Sequence, residues 1–179
     1  LAVLREVRDT HPETPVLEGL GIGNLGTANL TVSSQGTLIY RSGNAQPTQR
    51  PVIPARVTRA GQESDIDPAW SYTPAFNGGL SLSPDGSRLA VAVHGNPVGD
   101  IWIKDLDRGP LSRVTFDNSV KYRPLWMPDG ESVSYIIEDG PSSAILRRRA
   151  DGGCVVDTVI TSIHTIAEAA WSGDGSWLA

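Results

Sequence analysis

The chain has 179 residues and a net charge of -5, with 39% of its residues hydrophobic and 20% charged. This length can bury a core without disulfides, and this apolar fraction is too high for a disordered segment. No apolar run reaches the roughly 18 residues of a membrane-spanning helix. The acidic balance argues against a nucleic-acid partner, which selects a basic face, and the lone Cys154 excludes an internal disulfide.

One turn motif recurs along the chain. It reads LSPDGSRLA at 82–90, WMPDGESVS at 126–134 and WSGDGSWLA at 171–179, with a weaker copy, VSSQGTL, at 32–38. The motif glycines at positions 36, 86, 130 and 175 are separated by 50, 44 and 45 residues. A repeat of this length is typical of propeller blades and similar arrays.

Each full motif has the chemistry of a tight hairpin turn. Proline presets the backbone for the second position of a type I turn, aspartate suits the third, and glycine adopts the left-handed conformation that closes the hairpin. Glycine replaces the proline at position 173. The predicted turn residues are Pro84, Asp85, Gly86, Pro128, Asp129, Gly130, Asp174 and Gly175.

Short strands flank these turns. Leu89, Val91 and Val93 alternate with other residues in the period of two expected for a strand, and turn residues interrupt nearly every stretch of ten. Four strands of about six residues fill one repeat, which predicts an all-β chain, a β-propeller of four-stranded antiparallel blades. A β-sandwich is the structural rival, but it does not explain the period.

The repeat divides the chain into about four blades. We assign the outer strands of a blade to residues 1–20, an irregular blade to 28–65, regular blades to 76–116 and 120–161, and the start of a further blade to 165–179. The blade at 28–65 is expected to be irregular because Pro51 and Pro54 interrupt its middle.

The strings LSPDGSRLAVAV, DIWIKDLDRG and SRVTFDNSVKYRPLWMPDG, between residues 82 and 130, resemble the TolB-type β-propeller repeat. The arrangement is also similar to the propeller sensor regions of bacterial serine/threonine kinases. Because TolB-type propellers are usually six-bladed, the resemblance implies that the chain is part of a six-bladed propeller; a small closed ring is the alternative. It also implies a bacterial protein on the periplasmic or extracytoplasmic side of the cell.

Candidate binding residues follow from the geometry of propellers. Inner strands and the loops that lead into them border the central channel, which directs attention to 116–123 and 162–168. The polar mouth predicted from these segments consists of Asp117, Lys121, Tyr122, Arg123, His164 and Glu168.

Other polar groups receive simpler interpretations. The turn aspartates are about 44 residues apart, whereas Ca²⁺ needs six to eight converging oxygens. The three histidines and Cys154 share no zinc-ligand spacing, and Gly21–Gly26 fits a dinucleotide motif without the helix that should follow it. Arg147 and Arg149 share a strand face and are expected to be solvated or salt-bridged, and the tryptophans at 102, 126 and 171 are expected to pack between blades.

No nucleophile, base and orienting group assemble in the sequence, so we predict a non-enzymatic binding or scaffolding module with no cofactor and no metal. Its partner is expected to be a protein or a small ligand at the channel face, without nucleic-acid binding or membrane insertion, and with self-association through exposed blade edges as a further possibility. Two alternatives stay open: the accessory propeller of a prolyl oligopeptidase-like hydrolase, and a propeller lactonase-type enzyme.

Overall fold

The computed structural model describes residues 30–32, 38–40, 51–57, 62–75, 78–95, 98–107 and 109–179. The outer strands assigned to 1–20 and the glycine-rich segment Gly21–Gly26 lie outside these residues. All regular structure in the described part is β-strand, and no helix there is long and apolar enough to span a membrane.

Within the described residues, twelve strands form three antiparallel sheets of four, each with its strands in chain order. Blade 1 contains β1 (Leu30–Val32), β2 (Leu38–Tyr40), β3 (Ala55–Val57) and β4 (Glu63–Asp65). Blade 2 contains β5 (Leu80–Leu82), β6 (Arg88–Val93), β7 (Asp100–Asp105) and β8 (Leu111–Arg113). Blade 3 contains β9 (Val120–Trp126), β10 (Ser132–Asp139), β11 (Ser142–Arg149) and β12 (Val156–Ser162).

A further blade begins after β12. Trp171 and Leu178 form an isolated antiparallel bridge around the last turn motif. The strands of blade 1 are only three residues long, whereas those of blade 3 reach eight. The three sheets confirm the prediction of four-stranded antiparallel blades.

The repeated turns have the geometry that their residues dictate. The amide of Gly86 donates to the Ser83 carbonyl at 2.8 Å, and Gly86 has a φ of 76°. Gly130 and Gly175 repeat this arrangement with φ values of 66° and 72°. Only glycine adopts this conformation without steric cost, which explains why it closes every copy.

Aspartate stabilises the turn locally. The Asp85 carboxylate accepts hydrogen bonds from the Ser83 hydroxyl at 2.6 Å and from the Ser87 amide at 3.0 Å. These bonds hold the pKa of Asp85 down at about 2, with the Ser83 hydroxyl making the largest contribution. The turn aspartate therefore has a structural role of its own.

Successive blades pack through their first strands and their apolar faces. β1 contacts β5, and β5 contacts β9. Ala90, Ala92 and Ile101 of blade 2 are fully buried in one cluster with Trp126 and Tyr135 of blade 3. Trp126 thus packs between blades, as predicted.

Candidate functional site

A buried lysine lies where blade 2 leads into blade 3. Lys121, the second residue of β9, is 0% exposed. Its Nζ lies 2.8 Å from the carbonyl oxygens of Asp117 and Ser119, 2.9 Å from Asp117 Oδ1 and 3.6 Å from Asp100 Oδ1. A buried ammonium is tolerated only with such partners.

Asp100, the first residue of β7, joins this lysine to blade 2. Its Oδ2 lies 2.6 Å from Arg113 Nη2, and its Oδ1 accepts the Thr115 hydroxyl at 2.8 Å. The Thr115 hydroxyl oxygen in turn accepts the Ile101 amide at 3.0 Å. We call Asp100, Arg113, Thr115, Asp117 and Lys121 the charged network.

Asp117 is the most exposed carboxylate of the charged network. Burial alone raises its pKa, but hydrogen bonds from Ser119 and Lys121 outweigh that effect and bring the pKa to about 2. Asp117 therefore carries a full negative charge near neutral pH.

Three members of the charged network, Asp100, Arg113 and Asp117, border a cavity of about 230 Å³ at the end of blade 2. The end of β6, the start of β7, the end of β8 and the β8–β9 connection surround it. Its polar and aromatic lining residues are His94, Asp100, Trp102, Arg113, Asp117 and Asn118. Polar groups thus converge around an aromatic side chain, as in many small-ligand sites.

A second polar feature lies on the first strands. Gly79, Arg123 and Glu168 each precede a turn glycine by seven residues, so they occupy equivalent positions in successive repeats. Arg123 Nη2 lies 3.0 Å from Glu168 Oε1. A Cβ on Gly79 would come within 3.1 Å of Arg123 Cα, so glycine lets these strands approach closely. Arg123 also has a φ of 51°, a conformation that is uncommon for a residue with a side chain.

Tyr122 points into the interior instead. It is 2% exposed, and its Oη lies 2.9 Å from Glu138 Oε1 and 3.2 Å from the Ile166 carbonyl oxygen. Burial, followed by the contact with Glu138, raises the pKa of Tyr122 above its usual range. The hydroxyl therefore stays protonated and ties blade 3 to the segment that follows it.

The six residues predicted to form a polar mouth thus separate into three groups. Asp117 and Glu168 are exposed at the connections, and Arg123 is buried but reaches Glu168. Lys121 and Tyr122 are both interior residues, although consecutive strand residues point to opposite faces. Lys121 faces Asp100 of blade 2, and Tyr122 faces the segment after β12. His164 is exposed, and its amide bonds to the Ser162 hydroxyl.

Sequence reasoning missed Asp100, Arg113, Trp102, His94 and Asn118. The one available signal was Asp100, a charge that opens the apolar strand DIWIKD. Its partner Lys121 follows 21 residues later on another strand, and no local pattern pairs them. The cavity is formed by the ends of three strands, which only the sheet brings together.

The three consecutive arginines mostly form salt bridges, as expected. Arg147 pairs with Asp157 at 2.6 Å, and Arg149 pairs with Glu131 at 3.0 Å. Arg148 points to the other face, where its guanidinium lies 5.7 Å from the Phe116 ring centroid. Among the described residues, no three histidine, cysteine, aspartate or glutamate side chains cluster closely enough to hold a metal ion.

Sequence comparison finds no matching protein-family model and no matching curated protein. Solved structures do match. TolB from Acinetobacter baumannii superposes with a TM-score of 0.65 at 14% identity, over 87% of this chain and 40% of that one. The TolB-designated protein of Agrobacterium tumefaciens gives 0.61 at 19% identity, over 81% of this chain and 54% of that one.

An enzyme shares the architecture. Oligogalacturonate lyase from Vibrio parahaemolyticus matches with a TM-score of 0.57 at 16% identity, over 83% of this chain and 45% of that one. The chain therefore spans about half the length, or less, of these structures. Identities this low show a common fold without showing a common activity. The fold predicted from the repeats is confirmed: the chain has the β-propeller fold of TolB-type proteins.

Proposed function

We propose that the chain is a non-catalytic module that binds a protein or a small ligand at its connection face. This face is formed by the β6–β7 hairpin, the β8–β9 connection and the segment that follows β12. The main support is the charged network, because it places buried and half-exposed charges around a cavity. Such charges often mark functional sites, although they also occur in structural ion-pair networks.

The hydrogen bonding of the charged network favours binding over catalysis. The Lys121 ammonium has three donors, and four oxygens already surround it. Asp100 is likewise engaged by Arg113 and Thr115. Groups held in this way form a fixed polar surface, whereas an acid–base catalyst must exchange its proton with a substrate.

Other parts of the proposal rest on the resemblance to TolB-type repeats. They are a bacterial, extracytoplasmic location and a protein partner. Self-association has a structural candidate in β12, an outer strand in which every residue except Ser162 is exposed. Unpaired edges of this kind can pair with another chain.

Hydrogen-exchange mass spectrometry tests the proposed face. The protein is incubated with separated protein and small-molecule fractions of a bacterial extract. We expect slower exchange at 93–95, 98–102 and 113–123, which form the described part of the connection face around the cavity. The turns at 83–88 and 127–132, at the other end of the strands, are the internal control and should keep their rates. Protection confined to those turns would contradict the proposal.

A further inference from the structure

We propose that the cavity of blade 2 binds a neutral polyhydroxylated ligand the size of one sugar ring. This inference rests on the proposed function and names a ligand class for the same face. The volume of the cavity, about 230 Å³, lies just below the range of roughly 300–1,000 Å³ that accommodates drug-sized ligands. A single ring with its hydroxyl groups is the size of ligand that such a space admits.

The charges around the cavity compensate one another. Asp100 and Asp117 on the cavity wall contribute two negative charges. Arg113 on the same wall contributes one positive charge, and the fully buried Lys121, which contacts both carboxylates, contributes the second. A charged ligand would meet no net opposite charge and would have to give up its own hydration. A neutral ligand avoids that cost, so the balance favours hydroxyl groups over carboxylates or amines.

Residues that line the cavity retain hydrogen-bonding atoms that no described contact uses. All hydrogen bonds and ion contacts described for the Asp117 carboxylate involve Oδ1, which leaves Oδ2 as an acceptor. Arg113 uses Nε and Nη2, which leaves Nη1 as a donor. Asn118 adds an exposed amide with both a donor and an acceptor. Adjacent hydroxyl groups of a sugar donate and accept at once, and this mixed set matches them.

Trp102 supplies the apolar side of the cavity. It is partly buried and packs against the cluster that contains Leu89 and Val91, so its ring is supported from behind. It pairs across the sheet with Arg113, which places the indole beside the polar wall. The C–H face of a sugar ring carries partial positive charge and suits the negative face of an aromatic ring.

The equivalent depression of blade 3 has neither an aromatic side chain nor a cation among its described lining residues. It measures about 280 Å³ and is lined by Ile137, Asp139, Ser142, Ser143, Ala144, Thr161, Ser162 and Ile163. Ala144 follows its turn glycine by 14 residues, as Asp100 does, and Ser162 precedes the next turn glycine by 13 residues, as Asp117 does. The two depressions share a place in the repeat and differ in chemistry, so blade 3 provides a control within the same molecule.

Nuclear magnetic resonance titration of the full chain tests the proposal. The probes are the methyl glycosides of glucose, galactose and mannose, together with glucosamine as a cationic analogue and glucuronate as an anionic one. We expect saturable shifts at 94–102 and 113–118 for at least one neutral glycoside, at least tenfold tighter than for either charged analogue. No saturation by any neutral glycoside up to about 10 mM, a concentration at which millimolar ligands bind, would overturn the inference. Tighter binding of a charged analogue would do so as well.

Two variants localise the binding. Asn118→Ala alters an exposed loop residue and should weaken the neutral glycoside at least tenfold, while Ser162→Ala in the control depression should leave it unchanged. Equal effects of the two variants would overturn the site assignment.

A neutral disaccharide glycoside, titrated in parallel, distinguishes two possible sources of the sugar ring. Tighter binding than the monosaccharide indicates the end of a glycan, and equal binding indicates a free sugar. If no sugar binds while extract fractions still protect the connection face, the inference fails and the proposed function stands; if both are absent, both fail.

Discussion

Two successive interfaces between blades bury different kinds of side chain at equivalent positions. Between blades 2 and 3, Lys121 is buried among Asp100, Asp117 and two carbonyl oxygens. Lys121 lies nine residues before the turn glycine Gly130. Ile166 lies nine residues before the next turn glycine, Gly175, and is therefore its equivalent. Ile166 packs against an apolar cluster that contains Tyr122.

The exchange extends to three other members of the charged network. Ala144 follows its turn glycine by 14 residues, as Asp100 does, while Ile160 and Ser162 precede the next turn glycine by 15 and 13 residues, as Thr115 and Asp117 do. A blade interface can therefore be built with almost no charge at these positions. Because buried ion pairs rarely stabilise more than well-packed apolar residues of similar volume, the network between blades 2 and 3 is more than the fold requires. This excess is the reason for placing the binding site there.

The two interfaces also differ in the environment of a tryptophan indole N–H. Trp171 Nε1 donates to the Ser134 hydroxyl at 2.8 Å. At the earlier interface, alanine occupies the position equivalent to Ser134, four residues after the turn glycine. The buried Trp126 Nε1 there has no hydrogen-bond partner among the described residues, and the Arg88 guanidinium covers its ring at 4.4 Å.

The largest expected effect comes from removing the buried cation. Lys121→Met leaves two carbonyl oxygens without a donor and two carboxylates with one cation fewer, and should lower the free energy of unfolding by about 3 kcal/mol. Urea unfolding at pH 7 measures it. Asp100→Ala combined with Lys121→Ile installs the residue pair of the next interface and should cost less than the two single changes together. Additive losses would show that the two side chains do not act as a unit.

The second effect concerns a hydroxyl that joins blades 2 and 3. Ser81 Oγ accepts the Trp126 amide at 2.9 Å, and Thr31 Oγ1 accepts the Leu82 amide at 3.0 Å in the same way one repeat earlier. Ser81→Ala leaves a buried amide unpaired and should cost about 1–3 kcal/mol in urea unfolding. Ser112→Ala, on the exposed face of β8, is the matched control and should change stability by less than about 0.5 kcal/mol. Similar losses in both variants would argue against a specific bond between blades.

A smaller effect appears in the pH dependence of stability. The pKa of Asp117 is lowered to about 2 in the folded protein, so its contribution is complete above the ordinary aspartate range and disappears as the pH falls through about 2. Asp117→Ser installs the residue of the next interface and should cost about 1 kcal/mol at pH 7, a modest value because the carboxylate is half exposed. Unfolding curves of the two proteins should converge between pH 4 and pH 2. A constant difference across this range would assign the loss to something other than the charge.

The sequence predicted the parts of this comparison that depend on local chemistry. Pro84, Asp85 and Gly86 dictate a turn by themselves, and the period of the turn glycines dictates a repeated sheet. The alternation along β6 also located its strand. Turn residues and short periodicities act within a few positions, and therefore they can be read without knowing the fold.

The candidate site could not be predicted in the same way. Lys121 was assigned to a polar mouth because it lies in the segment 116–123, which leads into an inner strand, whereas its actual environment is created by a carboxylate 21 residues away. Trp102 and Asn118 meet at one cavity only because blade 2 places the start of β7 beside the β8–β9 connection. The equivalences between repeats, Lys121 with Ile166 and Asp100 with Ala144, were present in the sequence. They gain meaning once the structure shows that Lys121 and Asp100 contact each other across the interface.

The smallest expected effect comes from a substitution that gives Trp126 the same hydrogen-bond partner as Trp171. Ala90→Ser places a hydroxyl where the next interface has Ser134, and it should accept a hydrogen bond from Trp126 Nε1. The hydrogen bond that forms and the cost of burying the hydroxyl oppose each other, so the free energy of unfolding should change by less than about 1 kcal/mol. The resonance of the Trp126 indole N–H should move downfield because it becomes hydrogen-bonded. Ala92→Ser adds the same hydroxyl to the same cluster, two residues along the strand, and should destabilise by about 1–3 kcal/mol because a buried hydroxyl there lacks the indole partner. If Ala90→Ser destabilises as much as Ala92→Ser and leaves the indole resonance in place, the two tryptophans do not occupy equivalent positions relative to the preceding blade. The interfaces would then differ in geometry as well as in chemistry.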